Sequence, residues 1–279
     1  MPHDAELEFV ARTDTGLVRS QNEDAVAISP SYGIAILADG MGGYNAGEVA
    51  SRIAVEIMRQ VLEEGIDRLQ EQQVPDVQWS VPLQQLLDES IHRANAAVLD
   101  AASSQSEYSG MGTTIVAAVL HRAAIIIAHV GDSRAYRFRQ GRLEQITRDH
   151  SLLQEQIDAG LISPEQARTA PHSNLVTRAV GGGADLEVEV HEYLTEPGDV
   201  YLLCSDGLSD MLEPEEMQDV LNNRQAPLED ACAMLIERAN AHGGHDNISV
   251  VLIKAEAADA DAVVSEQGGL LRRIFGWIS

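Results

Sequence analysis

Three aspartates occupy the same local position in this chain: Asp39 ends the run GIAILA, Asp132 follows IIIAHVG and Asp206 follows VYLLCS, so each is expected at the carboxyl end of an apolar strand. A fourth, Asp246 in GGHDN, stands just before ISVVLI. In an antiparallel sheet the start of one strand lies beside the end of its neighbour, so all four carboxylates can converge on one edge. A lone Asp-Gly after an apolar run is an ordinary turn; four such placements are harder to dismiss. Asn22-Glu23-Asp24 adds two further carboxylates, which read alone would be a polar turn after Arg19.

Carboxylates without His or Cys partners select hard cations, so magnesium or manganese suits the set better than zinc. Two such cations close together lower the pKa of a shared water and neutralise phosphate oxygens. Arg19 is the cation to place on that phosphate, because a guanidinium fork matches two oxygens where lysine offers a point charge. Asp39-Gly40-Met41-Gly42-Gly43 reads as a loop of little bulk whose carbonyls approach a metal. His242 and His245, flanked by glycines, read as loop residues.

Composition narrows the partners. A formal charge of -25, from 44 acidic against 19 basic residues, argues against nucleic acid, which requires clustered Lys and Arg. Most of the carboxylates are expected on a solvated surface. Cys204 and Cys232 lie in no metal-binding spacing and read as small core residues. The amino terminus MPHDAELEF lacks a basic start and an apolar stretch, and no run approaches the ~18 apolar residues of a membrane span. The expectation is a cytoplasmic monomer.

The elements that must position these groups follow from periodicity. Gly33 to Ala38, Thr114 to His121, Ala123 to Val130, Ala135 to Phe138, Leu143 to Thr147, Asp199 to Cys204 and Ile248 to Lys254 read as strands, with a Gln140-Gly141 turn in an antiparallel meander. Ala46 to Ile66, Pro82 to Ala102 and Leu228 to Ala241 carry apolar residues at helical spacing and are expected to cover sheets. Residues 148 to 178 read as a small helical flap, with a short helix at Leu152 to Ala159 and a Ser163-Pro164-Glu165-Gln166 helix start. The domain is expected to span residues 1–254. An acidic linker and the tail LLRRIFGWIS occupy 255–279, and the apolar face of 270–278 beside Arg272 and Arg273 suits docking on a partner or an anionic surface as well as folding back.

At this point the residues resemble a known family, the bacterial 2C-type metal-dependent serine/threonine protein phosphatases. The match runs in order through TGLVRSQNED (15–24), ADGMGG (38–43), GMGTT (110–114), AHVGDSRAYR (128–137), RDHS (148–151), LVTRAVG (175–181), LCSDGLSD (203–210) and GGHDNISV (243–250). The resemblance implies an α+β fold of two packed antiparallel β-sheets flanked by pairs of helices. It implies Mn2+ or Mg2+, two per site, with Asp39 bridging them, Asp206 and Asp246 on the first, and the Gly40 carbonyl and Glu23 on the second. Asp132, with Asp206, matches the ligands of a third, weaker ion in bacterial members, and Asp24 supports the ligands from behind. The implied reaction is attack of an activated water on phosphoserine or phosphothreonine, in line with the departing oxygen and without a phosphoenzyme. Its implied partners are phosphorylated proteins and a Ser/Thr kinase that it opposes.

The chain departs from the family at two places: Met41 and Tyr44 stand where eukaryotic and many bacterial members respectively have histidine. A thioether cannot donate a proton, so the acid for the leaving group is unassigned, with a metal-bound water or His172 of the flap as candidates. Two other readings keep the fold: a phosphatase dedicated to one regulator, such as an anti-sigma antagonist, and an inactive adaptor.

Overall fold

A computed structural model of the chain describes residues 7–43, 46–163, 166, 175–223 and 226–255. The strands are β1 (Leu7–Asp14), β2 (Asp24–Ser29), β3 (Ile34–Met41), β4 (Gly112–Thr113), β5 (Ile115–His121), β6 (Ala124–Val130), β7 (Arg134–Arg139), β8 (Arg142–Gln145), β9 (Glu189–Leu194), β10 (Val200–Cys204) and β11 (Ile248–Ala255). The helices are α1 (Ala46–Glu71), α2 (Ser80–Ser104), α3 (Leu152–Asp158), α4 (Asp206–Ser209), α5 (Pro214–Leu221) and α6 (Leu228–Ala241).

The strands form two antiparallel sheets, one ordered β1-β11-β10-β7-β8 and the other β2-β3-β5-β6-β9 with β4 paired to β3. Their central strands are apolar on both faces because both faces are covered. Ala35, Leu37, Val116, Ile125 and Ile127 meet Tyr201, Leu203, Val251 and Ile253 between the sheets. The alternate residues Ile34, Ile36, Ile115, Ala117 and Ile126 face Ala50, Met58, Leu62, Leu87 and Ile91 of α1 and α2. On the far side Leu202, Val250 and Leu252 pack on Met217, Cys232 and Leu235 of α5 and α6. The α+β sandwich with helices outside is therefore as the sequence implied. Fully burying one such aliphatic side chain contributes roughly 1.5–3 kcal/mol.

Local chemistry fixes the ends of the elements. Ser151 caps α3, its side chain accepting from the Gln154 N–H, and Glu213 with Glu216 forms a capping box around Pro214 at α5. Ser163 and Gln166 exchange the paired bonds of the helix start read from the sequence. Gln140 and Gly141 both take positive φ, 52° and 84°, as a two-residue hairpin turn requires.

The structure differs from the sequence expectation in three respects. The β5–β6 and β7–β8 hairpins belong to different sheets, so the expected meander is broken between them where Gly131–Ser133 crosses over. Residues 39–41 are not loop: they prolong β3, with Gly40 opposite Thr113 and Met41 opposite Gly112. The edge strands β1, β2 and β9 and the short helix α5 carry too few consecutive apolar residues to stand out. Among the described residues no helix is long and apolar enough to cross a membrane. Tyr44, His172 and the tail 256–279 lie outside the described residues.

Candidate functional site

Asp39 sits on β3 directly opposite Asp24 of β2. Its backbone is held from the other side: the Asp39 N–H donates to Thr114 Oγ1 at 3.1 Å, and its carbonyl accepts from Thr114 N and Thr113 Oγ1, each at 2.8 Å. Gly40 then passes so close to its neighbours that a Cβ would lie 2.2 Å from the Gly47 carbonyl oxygen and 2.5 Å from that of Glu23, so no side chain fits there. This close approach locks Glu23 and the start of α1 against the end of β3.

Asp206 opens α4 with only Ser205 between it and β10, and only Asn247 separates Asp246 from β11, the antiparallel neighbour of β10. A Cβ on Gly207 would meet the Asn247 carbonyl oxygen at 2.0 Å, so this glycine lets the two acidic turns touch. Ser205 Oγ donates to Asp24 Oδ2 at 2.9 Å and accepts from the Ser249 N–H at 2.9 Å. Arg19 Nη2 donates to Asp246 Oδ2 at 2.6 Å, with half of the arginine side chain exposed.

The electrostatics show how tightly the acids are packed. Burial pushes Asp39 well above the usual carboxylate range, and the charges of Asp24, Asp206 and Asp132 push it further. Burial raises Asp206 to about 8, reinforced by Asp132, Asp210 and Asp246. Asp24 is raised to about 7 by burial, against the lowering effect of hydrogen bonds from Ser249 and Ser205. Asp132 rises to about 6 through burial and the nearby Asp149. Glu23 is also raised by burial, with Arg19 opposing. For Arg19, burial lowers the pKa but Asp246 more than compensates, and the net shift is upward. Asp24 Oδ1 and Asp206 Oδ1 are buried without a hydrogen-bond partner among the described residues.

Buried acceptors without donors, surrounded by like charge, are costly unless a cation joins them. An all-oxygen donor set of this kind fits hard divalent ions. The structure thus gathers Arg19, Glu23, Asp24, Asp39, Gly40, Asp132, Asp206 and Asp246 at one edge of the sandwich. It also brings in Asp210, which lies within the LCSDGLSD motif but carried no separate signal, and Glu48 near Glu23. His242 turns away, its Nδ1 2.8 Å from the Met211 carbonyl and its Nε2 3.5 Å from Glu216. Cys204 and Cys232 are buried, and burial pushes both thiols up to about 12, so neither supplies a thiolate.

Asn247 was not singled out from the sequence, yet it organises the loop bearing Arg19. Its Oδ1 accepts from the Glu23 N–H at 2.8 Å, while its Nδ2 donates to the carbonyls of Thr15 at 3.0 Å and Gln21 at 2.9 Å. The three partners lie more than 220 residues away in sequence, which leaves no local signal to read.

A second polar cluster, His129, His150 and Glu189, brings two imidazoles and a carboxylate within metal-ligand spacing. The hydrogen bonds argue against a metal there. The Gly131 N–H donates to His150 Nδ1 at 3.1 Å, so Nε2 carries the proton and donates to Glu189 Oε1 at 3.1 Å. His129 Nε2 lies 2.8 Å from the Arg148 carbonyl and therefore also carries a proton. Both nitrogens nearest Glu189 are donors, and the Arg178 guanidinium stands 3.6 Å from the same carboxylate. The cluster is a brace: the His150 N–H donates to the Gly131 carbonyl and the His150 carbonyl accepts from Thr177 N, tying both ends of the flap to the turn before Asp132. His150→Ala, which frees a buried Gly131 N–H, is expected to lower unfolding free energy by about 1–3 kcal/mol in urea melts. His150→Asn, whose Oδ1 can replace Nδ1, is expected to recover part of that loss.

Known proteins resemble this chain in sequence and in fold. The family model "Protein phosphatase 2C" matches residues 18–246. The serine/threonine phosphatase stp of Listeria welshimeri is 37% identical over 246 residues, covering 87% of this chain and 94% of that protein. A crystal structure of the Mycobacterium tuberculosis serine/threonine phosphatase PstP/Ppp superposes with a TM-score of 0.80 at 35% identity, covering 90% of this chain and 99% of that one. A structure of the PstP catalytic domain in complex with two manganese ions gives 0.75 at 34% identity, covering 90% and 98%. With sequence and sandwich in agreement over nearly the whole described chain, the protein belongs to the protein phosphatase 2C family.

Proposed function

We propose that this chain hydrolyses phosphoserine and phosphothreonine in proteins, with Mn2+ or Mg2+ held at the acidic edge. The observation that carries the reading is the convergence of Asp39, Asp132, Asp206 and Asp246, with a buried Asp206 oxygen left without a hydrogen-bond partner among the described residues. In this reading Asp39 would serve both cations, Asp206 and Asp246 would hold the first, and the Gly40 carbonyl and Glu23 the second. Asp132 and Asp206 would hold a third, weaker ion. Asp24, hydrogen-bonded to Ser205, supports Asp39 from the adjacent strand. Bound there, the cations supply water activation near neutral pH and neutralise charge on the phosphate.

The chain's own residues do the positioning. Arg19 now lies on Asp246, whose carboxylate stands in for an anionic partner. The half-exposed Arg19 guanidinium has the fork geometry that matches two oxygens of a substrate phosphate. Thr113 and Thr114 hold the Asp39 backbone, and Asn247 holds the loop that presents Arg19. We read residues 1–254 as the catalytic domain of a cytoplasmic monomer whose substrates are the products of a Ser/Thr kinase.

Phosphate release from phosphothreonine, phosphoserine and phosphotyrosine peptides, each with manganese or EDTA, tests this reading. Release from the first two that requires manganese is expected; equal release in EDTA would overturn it. Arg19→Ala is expected to lower kcat/KM about 10²-fold, the scale for losing one preorganised charge partner. Manganese affinity, measured by calorimetry, should not fall, because Arg19 competes for Asp246.

A further inference from the structure

We propose that Leu17 and Val18 form an apolar seat for the substrate chain beside the phosphorylated residue, selecting phosphoproteins with an aliphatic side chain next to phosphoserine or phosphothreonine. The inference rests on Arg19 as the phosphate-holding residue. Leu17 is 69% and Val18 64% exposed, two adjacent aliphatic side chains among the few large ones that the described residues leave in water. Scattered apolar residues need no explanation, but a contiguous pair beside a reactive centre does.

Their exposure is not the slack of a loose loop. The Leu17 and Val18 N–H groups both donate to the Gly244 carbonyl, at 2.8 and 3.2 Å, and the Gly16 N–H donates to Asp14 Oδ1 at 2.9 Å. Asn247 Nδ2 grips the carbonyls of Thr15 and Gln21 on either side. Leu17 stands over Gly244, where an added Cβ would lie 3.1 Å from Leu17 Cγ, and Gly244 is followed within two residues by Asp246. The next residue after the pair, Arg19, reaches that Asp246 carboxylate at 2.6 Å.

A fixed apolar pair and the phosphate-directed guanidinium are thus consecutive on one pinned segment. An extended chain advances about 3.3 Å per residue, so a peptide whose phosphate is held by Arg19 brings its adjoining side chains to the reach of Leu17 and Val18. Charge favours the same occupant. In a chain of net charge -25, the stretch Thr15–Gln21 carries no carboxylate and one arginine. Within this stretch the charge that an anionic phosphopeptide meets is Arg19, with Asp14, Glu23 and Asp24 lying just outside it, and aliphatic contact beside that arginine adds affinity.

The test compares two phosphothreonine peptides that differ only at the flanking positions, leucine and valine in one and glycine in the other. Hydrolysis with manganese and binding by fluorescence anisotropy are measured for the parent and for the Leu17→Ser, Val18→Ser double variant. The parent is expected to favour the aliphatic peptide by about 10-fold in kcat/KM, the scale for a small apolar contact difference. The double variant should bring that ratio close to one. No preference in the parent, or a preference retained in the variant, would overturn the seat. If the parent hydrolyses neither peptide, the phosphatase reading fails, and the anisotropy ratio still decides the seat independently. A sedimentation shift from dimer to monomer in the variant, with the peptide ratio unchanged, would assign the pair to a second copy of the chain and overturn the proposal as well.

Discussion

Asp39→Asn is expected to reduce phosphate release by about 10³-fold or more and to lose most of the stabilisation by manganese, so that the stability order of parent and variant reverses when manganese is added. Loss of residues that only support metal ligands typically costs 10–100-fold in metal affinity or activity, and loss of a residue proposed to hold both cations itself is expected to cost more. The stability effect follows from the burial pattern. In EDTA the parent holds Asp39 against Asp24, Asp206 and Asp132, all competing for few protons in a buried space. A neutral amide there needs neither a buried charge nor a proton taken up to neutralise one, so the variant is expected to melt at or above the parent temperature. With manganese at about 100 times its dissociation constant the parent gains about 2.7 kcal/mol, a gain the variant largely forgoes. Asp206→Asn should behave likewise, since its Oδ1 is one of the buried oxygens without a hydrogen-bond partner among the described residues. Paired thermal melts with and without metal check the inversion. Identical manganese shifts in parent and variants would remove these residues from the cation site.

Asn247→Ala is expected to have the second largest effect, although Asn247 is assigned no contact with cations or phosphate. Removing its amide strands the Glu23 N–H and the Thr15 and Gln21 carbonyls, three main-chain groups now paired at 2.8–3.0 Å. At about 1–3 kcal/mol for a buried group left unpaired, and with water reaching some of them, a total loss of about 2–4 kcal/mol is expected. The loop then carries Arg19 and Glu23 less accurately, and displacement on the order of 1 Å can cost about 10²-fold in rate. Asn247→Asp should not rescue: it keeps an acceptor for Glu23 but turns a carboxylate oxygen toward two carbonyls. Urea melts and kcat/KM on one phosphopeptide distinguish this from a purely structural loss, because Arg19→Ala shares the kinetic defect without the stability defect.

The contrast between Asp39 and Asn247 shows what the sequence can reveal. Asp39, Asp132, Asp206 and Asp246 were legible because each abuts an apolar run, and antiparallel pairing brings run ends together. The α6 span, Leu228–Ala241, was legible because its apolar spacing is uninterrupted. The extent of β3 was not: Gly40 and Gly42 suggested a loop, whereas β4 pairs with the strand as far as Met41 through residues more than 70 positions away. Edge strand β2 was hidden for a related reason. Its outward positions are half-exposed, and the Asp24 that opens it looks like a turn residue until it is found opposite Asp39. Asn247 and His150 both lie in quoted motifs, GGHDN and RDHS, but their roles consist of hydrogen bonds to distant main chain, which no local pattern encodes.

The most direct test of the account is manganese-dependent phosphate release from a phosphothreonine protein substrate by the parent and by Asp206→Asn, with EDTA controls and circular dichroism to verify that both are folded. Release by the parent only with manganese, and loss of that release in a variant that remains folded, are the expected results. Release by the parent in EDTA, or undiminished release by the folded variant, would contradict the account.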